Sequence, residues 1–333
     1  MRDIRNYSLK AHNTFGIEAC CSRFLEYADV EEAIRVAEVL RETAEPCMML
    51  GGGSNLLLTR DFEGIVVHSA VTGYSVDGHR MTCGSGMTWD DVVSLSLEHG
   101  LYGAENLSLI PGEVGASAVQ NIGAYGAEVK DLIAEVVAVE IATGQVVTFA
   151  REECQYGYRD SRFKHEWRNR YLIVQVVYEF STAYAPRLDY GNIRAELQQR
   201  GIEEPTAQQL RQVIIDIRRA KLPDPAVTGN AGSFFMNPVV SRRRYEALLA
   251  DYPQMPHYRV DDAHEKIPAG WLIDQCGWKG RSLGRAGVHD RQALVLVNLG
   301  GATGGDIVTL CRAIQHDVRY RFGVDIHPEV NIV

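Results

Sequence analysis

The 333 residues are enough for two or three domains of ordinary size, and 46% hydrophobic with 23% charged residues is the balance of a globular chain able to bury a large core. A formal net charge of −9 excludes a general electrostatic hold on nucleic acid or an anionic membrane. Any anionic ligand must then be met by Arg and Lys gathered locally. The first fifteen residues contain no apolar run, so no signal peptide is expected. Apolar stretches such as 293–297 are strand-sized, so no membrane insertion is expected either. Asp29-Val-Glu-Glu32 has the form of a capping box, followed by the helical stripe Ala33, Ile34, Ala37 and Leu40. Cys47–Leu50 reads as a strand entering Gly51-Gly52-Gly53-Ser54-Asn55, and Gly64–His68 as another. Thr88-Trp-Asp-Asp91 has the form of a second capping box, opening a helix through Glu98 that stops at Gly100.

A long segment of small residues follows, Leu109–Gly126, then strands at 135–141, 145–149 and 172–178. The period predicts a helix over 206–219, with Pro223 and Pro225 marking a boundary. A further helix is expected over 306–322, its apolar face formed by Ile307, Leu310, Cys311, Ile314 and Val318 and its stop by Gly323. An extended tail, 324–333, ends the chain. The seven cysteines include no Cys-x-x-Cys, which argues against a disulfide framework or a cysteine zinc site and for reduced, mostly buried thiols in a cytoplasm.

Glycines let consecutive backbone N–H groups approach an anion, so the Gly51–Asn55 loop invites a phosphate-cradle reading. It is neither a Rossmann nor a Walker loop: Leu56 stands where a third glycine would be needed, and no Gly-Lys-Ser/Thr follows. Alone, it is more often a plain turn between strands. The second segment, Ser108-Leu-Ile-Pro-Gly-Glu-Val-Gly-Ala-Ser117 and Ala118–Gly126, strips side chains from a long path. That suits packing against a flat ligand or against another backbone.

Taken together, GGGSN and LIPGEVGASAVQNIGAYG resemble the flavin-binding half of the UDP-N-acetylenolpyruvoylglucosamine reductase family. The resemblance continues through YGYRDSRFK (156–164), GNAGSFFMNP (229–238), AGWLIDQCGWKG (269–280) and HPEV (327–330), in order along nearly the whole chain. It implies an α+β fold: a two-part FAD-binding domain of the vanillyl-alcohol-oxidase (PCMH) type, 1–70 and 71–220, and a C-terminal α/β substrate-binding domain, 221–323, with the tail returning to the FAD domain. It implies non-covalent FAD, held by Gly51, Gly52, Gly53, Ser54, Asn55, Leu56, Ile110, Pro111, Gly112, Gly115, Ala116, Ser117, Gln120, Asn121, Ile122, Gly123, Ala124, Tyr125 and Gly126. It also implies NADPH as co-substrate and reduction of the enolpyruvyl group of a UDP-N-acetylglucosamine ether in peptidoglycan precursor synthesis. Gly52 and Asn331 depart from residues common in the family.

The chemistry needs a proton for C2 of the enolpyruvyl group and a cation for its carboxylate. The resemblance assigns the catalytic roles to Arg159, Ser233 and Glu329. On sequence alone Arg159 and Glu329 are more readily surface charges and Ser233 a turn serine; a hydrolase is excluded because no Gly-x-Ser-x-Gly surrounds Ser233. Lys221, Asn237, Tyr258 and Lys279 match the family's UDP-sugar residues. Tyr190 matches a loop tyrosine that closes over the nucleotide in one subclass. The rival readings are an alcohol or sugar oxidase on the same fold, separated by which donor bleaches the flavin, and a non-catalytic nucleotide-sugar binder, which would be colourless.

Overall fold

A computed structural model of the chain describes residues 1–333. It is mixed α and β and divides into two compact units. The first holds Met1–Tyr7, Cys21–Gly52 and Glu63–Arg218; the second holds Ser8–Cys20, Gly53–Phe62 and Arg219–Val333. No helix is long and apolar enough to cross a membrane.

The first unit is built on two sheets. One has four strands in the order Arg2–Ser8, Cys20–Tyr27, Phe62–Ser69, Cys47–Leu50, the last two parallel with Leu50 opposite His68. The other is antiparallel, in the order Val146–Ala150, Ile133–Glu140, Tyr171–Glu179, Arg80–Gly84, Tyr74–Asp77. The expected strands are all present, Cys47–Leu50 with the expected bounds and the others with ends that differ by one or two residues. The helix Val30–Arg41 lays Ala33, Val36, Ala37 and Leu40 against Leu25, Ile65 and Val67 of the first sheet and Val139, Leu172 and Val174 of the second. Each large side chain so buried contributes about 1.5–3 kcal/mol. Asp29 caps this helix through the Glu32 N–H (2.7 Å), but Glu32 accepts from the Ala28 N–H rather than from the cap residue.

The second expected capping box does not form. The helix Trp89–Glu98 begins where predicted, yet Thr88 makes no side-chain cap; its Asp90 accepts from Arg211 (2.7 Å) and from the Leu109 N–H. The small-residue segment also contains an unexpected helix, Val114–Gln120, ended by Asn121 in the left-handed region (φ 44°). Its Val114, Ser117 and Ala118 are buried against the core around Trp89 and Tyr178, so packing rather than periodicity creates it. The helix Ala207–Lys221 buries Leu210, Val213, Ile214 and Ile217 against Ile193 and Leu197.

The second unit contains an antiparallel sheet ordered Gly229–Ser233, Val295–Asn298, Ala286–Val288, Ser282–Leu283, and a smaller one ordered Val239–Ser241, His264–Lys266, Tyr258–Arg259. The helix Gly304–Phe322 spans the predicted range. A Thr303–Asp306 capping box opens it, Gly323 (φ 56°) closes it, and the five expected apolar residues are buried. The tail is zipped along 55–59: Asn331–Ile332 pairs in parallel with Leu56–Leu57, and the Thr59 N–H donates to the Val333 carbonyl (2.7 Å).

Candidate active site

The first glycine loop is divided between the units, Gly51 and Gly52 belonging to one and Gly53–Asn55 to the other. In the first unit, Gly51 and Gly52 pack directly on the second glycine-rich segment. A Cβ on Gly51 would stand 2.9 Å from Ala116 Cβ, and one on Gly52 3.5 Å from Gly112 Cα. The helix Val114–Gln120 approaches the strand Arg80–Gly84 equally closely, since a Cβ on Gly115 would lie 3.0 Å from Ser85 Cβ. Ile110 and Pro111 lead into that helix. Ser117, buried, donates to the Val114 carbonyl (2.7 Å), and Gln120 ends it. The fold thus brings the two segments together backbone to backbone, the first because its residues lack side chains and the second because its helix is made of small ones.

Arg159 (φ 55°) sits beside the far end of this segment. It does not pair with Asp160, which is held by His165 (2.7 Å). Its guanidinium donates to the Asn121 carbonyl (3.2 Å) and the Gly123 carbonyl, with its charge 5.4 Å from the Tyr158 ring. Gly123 must be glycine for this, because a Cβ there would come within 2.7 Å of the guanidinium. Asn121 is buried and donates to the Gly157 carbonyl (2.6 Å), tying the segment to the loop that carries Arg159. Ile122, Ala124 and Tyr125 are half-buried along the same path. Tyr190, exposed, meets Tyr125 edge-on at 6.3 Å, and its Cβ lies 3.5 Å from where Gly126 would carry one. It is therefore a surface tyrosine resting on the segment, not a core residue.

Two arginines were not singled out from sequence. Arg211 holds Asp90. Arg218 lies half-buried beside Leu109, and its single hydrogen bond to the protein runs from Nε to the Leu109 carbonyl (3.2 Å). Burial lowers its pKa against the opposing pull of Tyr125 and Asp90, with Arg159 adding to the lowering. It follows Ile217 on the buried side of its helix, where a lone arginine in an apolar stripe was the only available signal.

In the second unit, Gly229–Ser233 carries a β-bulge. Asn230 pairs with Val297 and Ser233 with Val295, so three steps on one strand meet two on the other. Buried Asn230 builds the bulge: its amide donates to the Thr228 and Pro223 carbonyls, and its Oδ1 accepts from the Gly232 N–H (2.9 Å). Gly232 supplies the left-handed turn (φ 67°). Ser233 emerges exposed, followed by buried Phe234 and Phe235. The tail runs antiparallel beside it, with the Glu329 N–H donating to the Phe234 carbonyl (2.8 Å) and Met236 N–H to the His327 carbonyl (2.9 Å). Asn55 also donates to the Glu329 carbonyl (3.4 Å), so Asn55–Leu57, which follow Ser54, form one ladder with the tail.

The expected substrate residues are dispersed along this unit. Lys221 is exposed at the end of its helix. Asn237 accepts from the Ala269 N–H (2.9 Å), opening the helix Ala269–Gln275. Tyr258 is exposed opposite Lys266 on the smaller sheet, and Lys279 lies 3.9 Å from Asp274, a loose surface pair.

Residues 22–150 match the family model of an FAD binding domain, and residues 224–333 match that of the UDP-N-acetylenolpyruvoylglucosamine reductase C-terminal domain. A protein of Bacteroides fragilis named UDP-N-acetylenolpyruvoylglucosamine reductase is 52% identical over 99% of both chains. One of Burkholderia ambifaria with the same name is 49% identical over 97% of this chain and 95% of its own. The fold is shared with the crystal structure of the Thermus caldophilus reductase, at a TM-score of 0.68 with 23% identity, covering 99% of this chain and 98% of that one. The α+β architecture is thus an FAD-binding domain followed by the reductase C-terminal domain, and the chain belongs to the UDP-N-acetylenolpyruvoylglucosamine reductase family.

Proposed function

We propose that this chain is an NADPH-dependent flavoenzyme that reduces the enolpyruvyl group of UDP-N-acetyl-3-O-(1-carboxyvinyl)-glucosamine to UDP-N-acetylmuramate, in the cytoplasm, for peptidoglycan precursors. The observation that carries the reading is near-half identity to reductases of that name over almost the full length of both chains.

Two features of the first unit fit a bound dinucleotide. Gly51-Gly52 approach the 110–126 segment closely, with Ala116 and the Glu113 side chain as their nearest side-chain neighbours, and Arg218 offers a guanidinium engaged by one backbone acceptor only. When bound, FAD supplies the hydride chemistry between NADPH and the substrate. The remaining tasks fall to side chains. The enolpyruvyl carboxylate needs a cation while charge develops, and Arg159 is a fixed fork suited to it. C2 needs a proton, which Ser233 donates, with Glu329 supporting the transfer. Lys221 and Lys279 meet the diphosphate, and Asn237, Tyr258 and Tyr190 contact the nucleotide sugar.

The purified protein is expected to be yellow and to be bleached by NADPH, with colour returning on addition of the enolpyruvyl substrate. A colourless protein, or bleaching by a simple alcohol instead, refutes the reading. A charge-assisted hydrogen bond contributes roughly 1.5–3 kcal/mol, so Lys221→Ala and Lys279→Ala should each raise the KM for the UDP-sugar by about tenfold to a hundredfold. The rate of flavin reduction by NADPH should move less. Unchanged KM values in both variants would remove these lysines from the binding site.

A further inference from the structure

His68 sits on the strand Phe62–Ser69 opposite Leu50, the residue that leads into Gly51-Gly52. Its Nδ1 lies 3.0 Å from Glu26 Oε2, and its Nε2 lies 3.1 Å from Glu113 Oε1. All three side chains are shielded, with between 12% and 16% of their surface exposed. A neutral imidazole has one N–H to donate, so one of these two carboxylates would face a bare ring nitrogen. Only the imidazolium donates to both. The carboxylate of Glu113 in turn lies along the glycine loop, Oε2 being 3.4 Å from where a Cβ on Gly51 would stand and Oε1 3.6 Å from that of Gly52. The side chain is therefore diverted from capping its own helix.

Glu26 is also held by Arg2 (2.8 Å) on the neighbouring strand. Phe24 stacks on His68 and Tyr7 on Phe24. The Tyr27 hydroxyl, pushed up to about 12 mainly by burial and partly by Glu113, stays neutral. Two carboxylates are thus met by two cations, Arg2 and His68, while His68 holds its second proton. When that proton is lost, the charge beside the loop becomes one unit more negative. None of these residues has a part in the chemistry described above.

We propose that the Glu26–His68–Glu113 chain sets the charge of the first glycine loop and so links retention of the dinucleotide pyrophosphate to protonation of His68. The inference rests on the FAD reading of that loop, and His68 acts as a positioning residue through Glu113. Burial works against the charged ring, but the carboxylates outweigh it, so its pKa lies above the ordinary imidazole value. The sign follows. The favourable state is complete at and below the ordinary value, about 6.5, and is lost as pH rises through the raised one. An anion bound at the loop stabilises the same proton, so binding takes up protons on the alkaline side.

The test uses the full-length, flavin-loaded chain, diluted at a series of pH values from about 6.5 to about 9, with free flavin read by its fluorescence. The dissociation constant of wild type is expected to rise by about tenfold across this range, the effect of one unit of charge. Glu113→Gln should hold flavin at the tight limit throughout, with no slope, and His68→Gln at the weak limit throughout. A flat wild-type profile, or the wild-type slope persisting in Glu113→Gln, overturns the proposal while leaving the cofactor reading intact. Absence of flavin from the wild-type chain at every pH sinks the cofactor reading itself, and the proposal with it. The wild-type profile requires no variant to fold.

Discussion

Ser233→Ala is expected to slow reoxidation of the reduced enzyme by the enolpyruvyl substrate by ~10²–10⁴-fold, the usual contribution of a positioned proton donor, while reduction by NADPH stays nearly unchanged. Only the second half-reaction delivers a proton to C2. The structure makes the variant a clean one. Ser233 is exposed at the end of its strand, and the bulge that presents it is built by Asn230 and Gly232, not by its hydroxyl. Losing the oxygen should therefore leave the local backbone and overall stability in place. A serine hydroxyl is a weak acid, so in the proposed role it acts while hydrogen-bonded. Ser233→Cys keeps a transferable proton and should recover part of the rate. Stopped-flow traces of each half-reaction alone decide the matter: equal slowing of both, or of neither, would make Ser233 a structural turn residue.

Gly53→Ala should destabilise the chain by about 3 kcal/mol, the sum of a left-handed backbone and an overlap that the neighbours cannot relieve cheaply. Gly53 has φ 63°, and a Cβ there would overlap the His12 carbonyl oxygen and approach Asn13 Cα to 2.8 Å. Both are backbone atoms, and the segment that carries them is fixed in turn: Thr14 N–H donates to the Gly53 carbonyl (3.2 Å), and buried Asn13 bonds to Leu9 and Ile17. Gly16 is the control. It has nearly the same φ (64°) with nothing within 4 Å of its would-be Cβ, so Gly16→Ala should cost only the conformational part, about 1–2 kcal/mol. Denaturant midpoints for the two variants at unchanged m values test the difference. Equal losses would show that the His12 contact does not constrain Gly53.

What could be read from the sequence was whatever depends on neighbours along the chain. The helix expected over 306–322 was legible because five apolar residues recur on one face before a stopping glycine. The strand Cys47–Leu50 was legible because it is a short apolar run ending in glycines. The order of the linked motifs was legible too, and with it the family. Contacts between segments distant in the chain were not. The helix Val114–Gln120 has no period to announce it, and it exists because small residues let it press against Ser85 and Gly51. Asp90 is the partner of Arg211, an arginine far along the chain that no local rule connects to it. Arg159 looked like a surface ion and is aimed instead at the Asn121 and Gly123 carbonyls. His68 carries no motif, and Glu113, inside the second glycine-rich segment, was given no role there. They meet beside the glycine loop because a parallel strand pairing sets His68 opposite Leu50. Local propensity and spacing choose the elements, but the partner of a charged or polar side chain is chosen by which groups the fold buries together, since a shielded charge must find its counterpart within a few ångströms.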